Sequence, residues 1–241
     1  MLSYLCMILA LFKNKINFAI LYFSILFIDI VVKLYLEAVP FRYLSKPLVV
    51  GLLLIYYTLN NNETSKWRKR YLYSALLCFL IGDVLFITYE ITTLYITAMA
   101  LFIVGKMFYA FRFSNQRDFR IVTLIPLFSI CFIYMIGIML LVMNSIGAFF
   151  TPILIYLFAS LIVVLFAFLR KDEVIYRSFV LVLIGVVMAI FSETIVLLKS
   201  FYNPNFTYHN TLIMLFYGIS QYFVIHGLVE EVKVKRKIIT S

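Results

Sequence analysis

The chain has 241 residues, of which 65% are hydrophobic and 13% charged, and its mean hydropathy is +1.05. Ordinary soluble domains are roughly 45–50% apolar and about 25% charged, so this composition excludes an aqueous globule, a disordered chain, a collagen and a coiled coil. Its formal net charge is +10, and the three cysteines, Cys6, Cys78 and Cys131, lie inside apolar runs without metal-ligand spacing. They read as small core hydrophobes rather than a disulfide framework.

Residues 1–12, MLSYLCMILALF, lack the cationic start and the small-residue cleavage site of a signal peptide, and residues 1–16 are expected to lie along the membrane surface. From there the apolar runs predict eight membrane-crossing helices, at about 17–36, 42–59, 71–88, 91–112, 118–143, 148–170, 176–199 and 209–228. Residues 17–228 thus form one transmembrane domain and 229–241 a basic tail. The runs are continuous rather than alternating, which selects an all-α polytopic bundle over a β-barrel.

The 21 Lys and Arg residues fall mostly on one side of that arrangement: Lys13 and Lys15, the Lys66–Arg70 stretch, Arg112, Arg117 and Arg120, Arg170, Lys171 and Arg177, and Lys233–Lys237. The opposite side keeps Lys33, Arg42, Lys46 and Lys199, while Lys106 stands within the fourth span. Cytoplasmic loops retain cations, so both termini are expected in the cytoplasm, and a bacterial inner (cell) membrane is the expected location. The positive charge is explained by this bias and by anionic headgroups, so the expected partners are membrane lipids and not nucleic acid.

Ionisable groups in hydrocarbon are costly and usually face a bundle interior or a wet cavity. Asp29, Asp83 and Tyr217 fall near mid-depth, Lys46 and Glu193 further out, and Lys106 and Gln221 on the inner side. These residues are expected to converge in one pocket, with Tyr109 and Ser192 beside it. Bland readings compete at several positions. Asp29 and Lys33, spaced i, i+4, could form a local ion pair, and Lys46, beside Pro47, could extend to the headgroups. Lys106 needs an acidic neighbour, Asp83 or Glu193. His226 reads as a satisfied structural histidine and His209 as a loop residue.

Two histidines on distant segments form no zinc or haem cluster, and no GxSxG, P-loop or GxGxxG signature occurs. No metal and no cofactor is therefore expected. What remains is a carboxylate pair, Asp83 and Glu193, with lysines near it. In a low dielectric, unequal neighbours drive two such acids apart into a proton donor and a base.

The stretches YLSKPL, LIGDVL, FIVGKMFY, FSETIVLLKSF and FYGISQYF, in this order over nearly the whole chain from about residue 17, resemble the YhhN-like family, the lysoplasmalogenases. The resemblance implies an eight-helix membrane hydrolase that cleaves the vinyl ether bond of a lysoplasmalogen to a fatty aldehyde and a glycerophospho-alcohol. It implies Asp83 and Glu193 as the catalytic carboxylates. Lys46 and Lys106 would orient the phosphate or tune the acids, and Tyr217 with Gln221 would bind water or glycerol oxygens. Two positions depart from the family pattern: Lys106 stands where histidine is usual and Glu193 where aspartate is usual. A lysine relays protons near neutrality only when its pKa is strongly lowered, so a non-enzymatic carrier or lipid-binding protein with the same pocket is the alternative.

Overall fold

The computed structural model describes residues 10–36, 39–88, 90–114, 121–205 and 207–233. Residues 1–9 of the surface segment, Arg117 and Arg120 at the start of the fifth span, and residues 234–241 of the basic tail lie outside these.

Among the described residues eight long helices follow in chain order: α1 Lys15–Tyr35, α2 Arg42–Asn60, α3 Lys66–Leu85, α4 Thr92–Phe113, α5 Ile121–Ile146, α6 Phe150–Leu169, α7 Tyr176–Phe201 and α8 His209–Val229. Short connections reverse the chain each time, so even and odd helices run oppositely. Asn14 starts α1 by accepting the amides of Ile16 and Asn17 at 3.0 and 3.3 Å, which satisfies two donors that the first helical turn leaves open. Pro152 stands in the first turn of α6, where its missing N–H costs nothing. The helix predicted from residue 71 begins earlier, at Lys66, and its last residues, Phe86–Thr88, tighten into a 3₁₀ turn. His209, expected in a loop, opens α8.

Among the described residues, six stretches are long and apolar enough to cross a membrane: Lys15–Tyr35, Lys66–Thr88, Thr92–Phe113, Leu124–Asp172, Tyr176–Phe201 and His209–Val229. The fourth is 49 residues long and contains most of α5 and all of α6. The protein is thus a multi-pass membrane bundle. Helix α2 is not among the six, and the reason is visible in its packing: Arg42, Ser45 and Lys46, which lower its hydropathy, are buried inside the bundle.

The most extensive helix pairs are α7 with α8 and α3 with α4, and α4 also packs on α6. In lipid, where apolar surface gains little by leaving its surroundings, close backbone approach at small residues supplies much of the association. Gly185 provides it between α7 and α8. A Cβ there would lie 2.8 Å from the amide nitrogen of Val224 and 2.9 Å from the carbonyl oxygen of Ser220. One apolar core runs through α1–α4, α6, α7 and α8, and a smaller one joins α4 to α5, α6 and α7 through Met99, Met139, Val142, Ile153 and Leu197.

The end of the bundle where α1 begins and α8 ends is tied by charge. Glu231 sits between Arg112 (3.2 Å) and Arg170 (2.9 Å), and Glu63 meets Arg112 at 3.2 Å. Both arginine side chains are fully buried. Glu230 pairs with Lys15 (2.6 Å) and Arg177 (2.8 Å). The segment after α8 also bridges the α6–α7 connection, where the Ile175 amide donates to the Val232 carbonyl at 3.0 Å.

Candidate functional site

Between the two apolar cores, α2, α3, α4, α6, α7 and α8 enclose a cavity of about 130 Å³. Lys46, Asp83, Lys106, Tyr109, Ser192, Glu193, Tyr217 and Gln221 all line it, so eight of the residues singled out from sequence meet in one place. Asp29 does not line it. That residue is fully buried behind the wall, where its Oδ1 accepts the hydroxyl of Ser45 at 2.6 Å and so joins α1 to α2 next to Lys46. The i, i+4 pairing of Asp29 with Lys33 is not formed; the Lys33 ammonium donates to the carbonyl of Asn210 at 3.3 Å.

The charges in the chamber form two separate pairs. Lys46 Nζ lies 3.0 Å from Asp83 Oδ1 and donates to the Asp83 carbonyl at 3.2 Å, while the Tyr217 hydroxyl donates to Asp83 Oδ2 at 2.6 Å. Lys46 therefore turns into the protein instead of reaching the headgroups. The energetic reason is Asp83, only 2% exposed, whose negative charge would otherwise stand uncompensated in a low dielectric.

Lys106 takes the other acid. Its Nζ lies 2.8 Å from Glu193 Oε1 and donates to Ser160 Oγ at 2.6 Å, and the Ser160 hydroxyl donates to Glu193 Oε2 at 2.6 Å. The ammonium also sits 3.3 Å from the ring centre of Tyr156, a cation–π contact. Of the two acids open to Lys106 from sequence, the bundle selects Glu193, because α4 packs beside α6 and α6 carries the serine that bridges them.

A neutral hydrogen bond completes the wall, with the Tyr109 hydroxyl donating to Gln221 Oε1 at 2.8 Å. Ser192 spends its hydroxyl on the carbonyl of Ile213 at 3.0 Å and so holds α7 to α8. His226 lies outside the chamber, with Nδ1 3.1 Å from the Tyr56 hydroxyl and Nε2 3.3 Å from Glu230, a satisfied structural histidine as expected. Among the described residues, no group of three or more His, Cys, Asp or Glu side chains is placed to hold a metal ion.

Two partners of the Lys106–Glu193 pair escaped sequence reasoning, Tyr156 and Ser160. Both sit on α6, whose sequence FTPILIYLFASLIVV holds no charge. A lone serine on an apolar helix looks like a packing residue, and only the proximity of α4 and α7 shows that it bridges an ion pair.

A second cavity of about 490 Å³ adjoins the chamber at the end away from the Glu231 cluster. The two share Lys46, Phe86, Tyr95, Val196, Ile213 and Met214 in their walls, so the second adjoins the first as its mouth. Lys33, Arg42 and Lys199 line the mouth and not the chamber.

A bundle of membrane-length helices that encloses two lysine–carboxylate pairs in a largely apolar chamber defines a polytopic membrane protein with an intramembrane polar site. The YhhN family model matches residues 41–228, and the chain belongs to that family. The match contains every chamber residue and leaves out α1, and with it Asp29. No curated protein and no solved structure matches the chain.

Proposed function

We propose that this protein is an integral membrane hydrolase that cleaves the vinyl ether bond of lysoplasmalogen-like lysolipids, releasing a fatty aldehyde and a glycerophospho-alcohol. In this reading all eight helices cross a bacterial inner membrane, both termini face the cytoplasm, and the mouth opens toward the outer leaflet, in keeping with the bias of Lys and Arg. The single observation that carries the proposal is the convergence of Asp83 and Glu193 on one enclosed, apolar-walled cavity.

The chemistry requires a proton on the β-carbon of the vinyl ether. That step leaves an oxocarbenium-like α-carbon, to which water adds through its oxygen while a base takes the water's proton. The resulting hemiacetal collapses, its carbon–oxygen bond to glycerol breaking as the hydroxyl proton leaves and the glycerol oxygen is protonated. One carboxyl supplies the first proton and the other receives the water's, a division of labour also used by glycosidases. Each carboxylate is held by a lysine, and Ser160 and Tyr217 fix its orientation through the oxygen that faces them. A largely apolar wall strengthens the charge interactions inside and accommodates the hydrocarbon chain.

The test is aldehyde release by the purified protein from an alkenyl lysophospholipid, run beside the acyl lysophospholipid of the same headgroup. Aldehyde from the first is expected. A folded protein that releases none from the vinyl ether would overturn the reading, and vesicle uptake of the intact lipid by that protein would assign the chamber to a carrier instead.

A further inference from the structure

The chamber is shallow beyond its carboxylates. Helices α3 and α7 run toward the mouth and α4, α6 and α8 away from it, so depth past the two acids can be followed along all five. On α3 the deepest lining residue is Phe79, four positions from Asp83. On α7 it is Val186, seven from Glu193, and on α8 it is Val224, seven from Tyr217. At a rise of about 1.5 Å per residue these intervals amount to about 6 and 10 Å. One turn further from the mouth, each helix presents a core residue that lies outside the chamber: Leu76 on α3, Phe113 on α4, Ala167 on α6, Val182 on α7 and Leu228 on α8, none more than 3% exposed.

The sides are closed at this depth as well. Phe79, Tyr109, Val163, Val186 and Val224, which line the deep end, are each no more than 6% exposed, so none of them borders on lipid. Gly105 lets α4 settle on the Phe79 ring, where a Cβ would lie 2.8 Å from Phe79 Cε1, and Gly185 lets α7 settle on Val224. The Phe79 and Tyr109 rings meet edge to face with centres 5.0 Å apart, and the Tyr109 hydroxyl is tied to Gln221 at 2.8 Å. These residues form a packed floor across α3, α4, α6, α7 and α8.

A fully extended hydrocarbon advances about 1.3 Å per carbon, given carbon–carbon bonds near 1.5 Å, so a depth of about 10 Å holds roughly eight carbons. A chain that fills one leaflet needs about 15 Å, half of a ~30 Å hydrocarbon core. The volume agrees with the depth: the chamber's 130 Å³ is small beside the roughly 300–1,000 Å³ of pockets that bury a drug-sized ligand. With a vinyl ether at Asp83 and Glu193 and the headgroup on the mouth side, only the space toward the floor is left for the hydrocarbon.

We infer, resting on the hydrolase reading of this site, that the protein selects lysolipids by chain length, taking alkenyl chains of up to about eight carbons. The floor sets the limit, and Phe79, the lining residue that ends the α3 wall, is its specificity-determining residue.

The experiment uses the full chain in detergent micelles and saturated 1-O-alkyl glycerophosphocholines with chains of six, eight, twelve and sixteen carbons, each at the same mole fraction of the micelle. Moving a methylene from the micelle to an apolar wall gains almost nothing, because the two surroundings are alike, so the affinities report fit. The six- and eight-carbon ethers are expected to bind alike and the sixteen-carbon ether at least about tenfold more weakly, from the strain of forcing extra methylenes into a packed core. Phe79→Ala takes the ring out of the floor and should cut the eight-to-sixteen ratio several-fold. Val163→Met adds volume at the same depth and should weaken the eight-carbon ether about fivefold relative to the six-carbon one, which keeps the test open where Phe79→Ala fails to fold. Equal affinity for eight and sixteen carbons in the folded wild-type protein, no binding of any of the ethers, or folded variants that leave both ratios as in wild type overturns the inference. None of these ligands contains a vinyl ether, so a length limit without aldehyde release from the alkenyl lipid keeps the floor and loses the hydrolase reading, and aldehyde release with equal affinity at every length does the opposite.

Discussion

Replacing Asp83 by asparagine separates a catalytic carboxylate from a merely paired one, provided stability and turnover are both measured. At 3.0 Å the Lys46–Asp83 attraction amounts to about 5 kcal/mol at an effective dielectric constant near 20, much of it offset by the cost of removing both charges from water. Asparagine keeps an oxygen for the Tyr217 hydroxyl but leaves the Lys46 ammonium, 7% exposed, without its counter-charge. Breaking one side of such a buried pair costs about 3–5 kcal/mol of stability. Loss of a proton donor or base costs roughly 10²–10⁴ in rate, which is about 3–5 kcal/mol on the barrier, so the two penalties are of equal size and neither alone identifies the role. The double variant Asp83→Asn with Lys46→Met resolves them, because it removes the stranded charge as well. Thermal melting of the double variant should return most of the way to wild type while aldehyde release stays depressed by at least about a hundredfold. Recovery of turnover together with stability, or wild-type turnover in the folded single variant, would refute the catalytic assignment and leave Asp83 as scaffolding.

The Glu231 cluster makes an acid-stability prediction. Burial pushes the Glu231 carboxyl up, but Arg112 and Arg170 outweigh it and hold the group below the usual carboxylate range. A carboxyl whose folded value lies below its unfolded value of about 4.3 contributes its full stability above that pH and loses it as the pH falls through the folded value. The melting temperature should therefore be insensitive to Glu231 between pH 7 and about 5 and decline below roughly pH 4. Glu231→Gln should cost about 3–5 kcal/mol at neutral pH and flatten the acid limb, and an unchanged melting profile in the variant would contradict the pairing. Gly185→Ala should destabilise by about 1–3 kcal/mol, since the new methyl meets backbone atoms of α8 at 2.8 and 2.9 Å that have no free rotation with which to retreat; a melting temperature equal to wild type would show that the α7–α8 contact is looser than described.

What the sequence made legible here was set by the solvent. A bilayer crossing demands a long apolar run whatever its partners, so the helices could be placed within a few residues, and the groups that violate that demand, Asp83, Lys106 and Glu193, announced themselves as interior. Their pairing did not follow, because it depends on how far each helix is rotated about its own axis, and that rotation is decided by contacts such as Gly185 against Val224 and Ser220, far along the chain. Lys46 illustrates the consequence. Near a helix end, with water within reach of its long stem, it satisfies the rule for an interfacial lysine, and only the carboxylate that α3 brings to 3.0 Å makes the inward rotamer the better one. Asp29 fails in the opposite direction: its i+4 neighbour Lys33 offers a local partner, yet Ser45 accepts the role across α1 and α2 while Lys33 turns to Asn210. The arginines at the other end belong to the same case. As loop cations they were accounted for by topology alone, so nothing called for Glu63 and Glu231 as partners until Arg112 and Arg170 proved to be fully buried. In each instance the cost of a buried charge was readable from one residue, whereas the residue that offsets it lies on another helix, and the helical period carries no information across that gap.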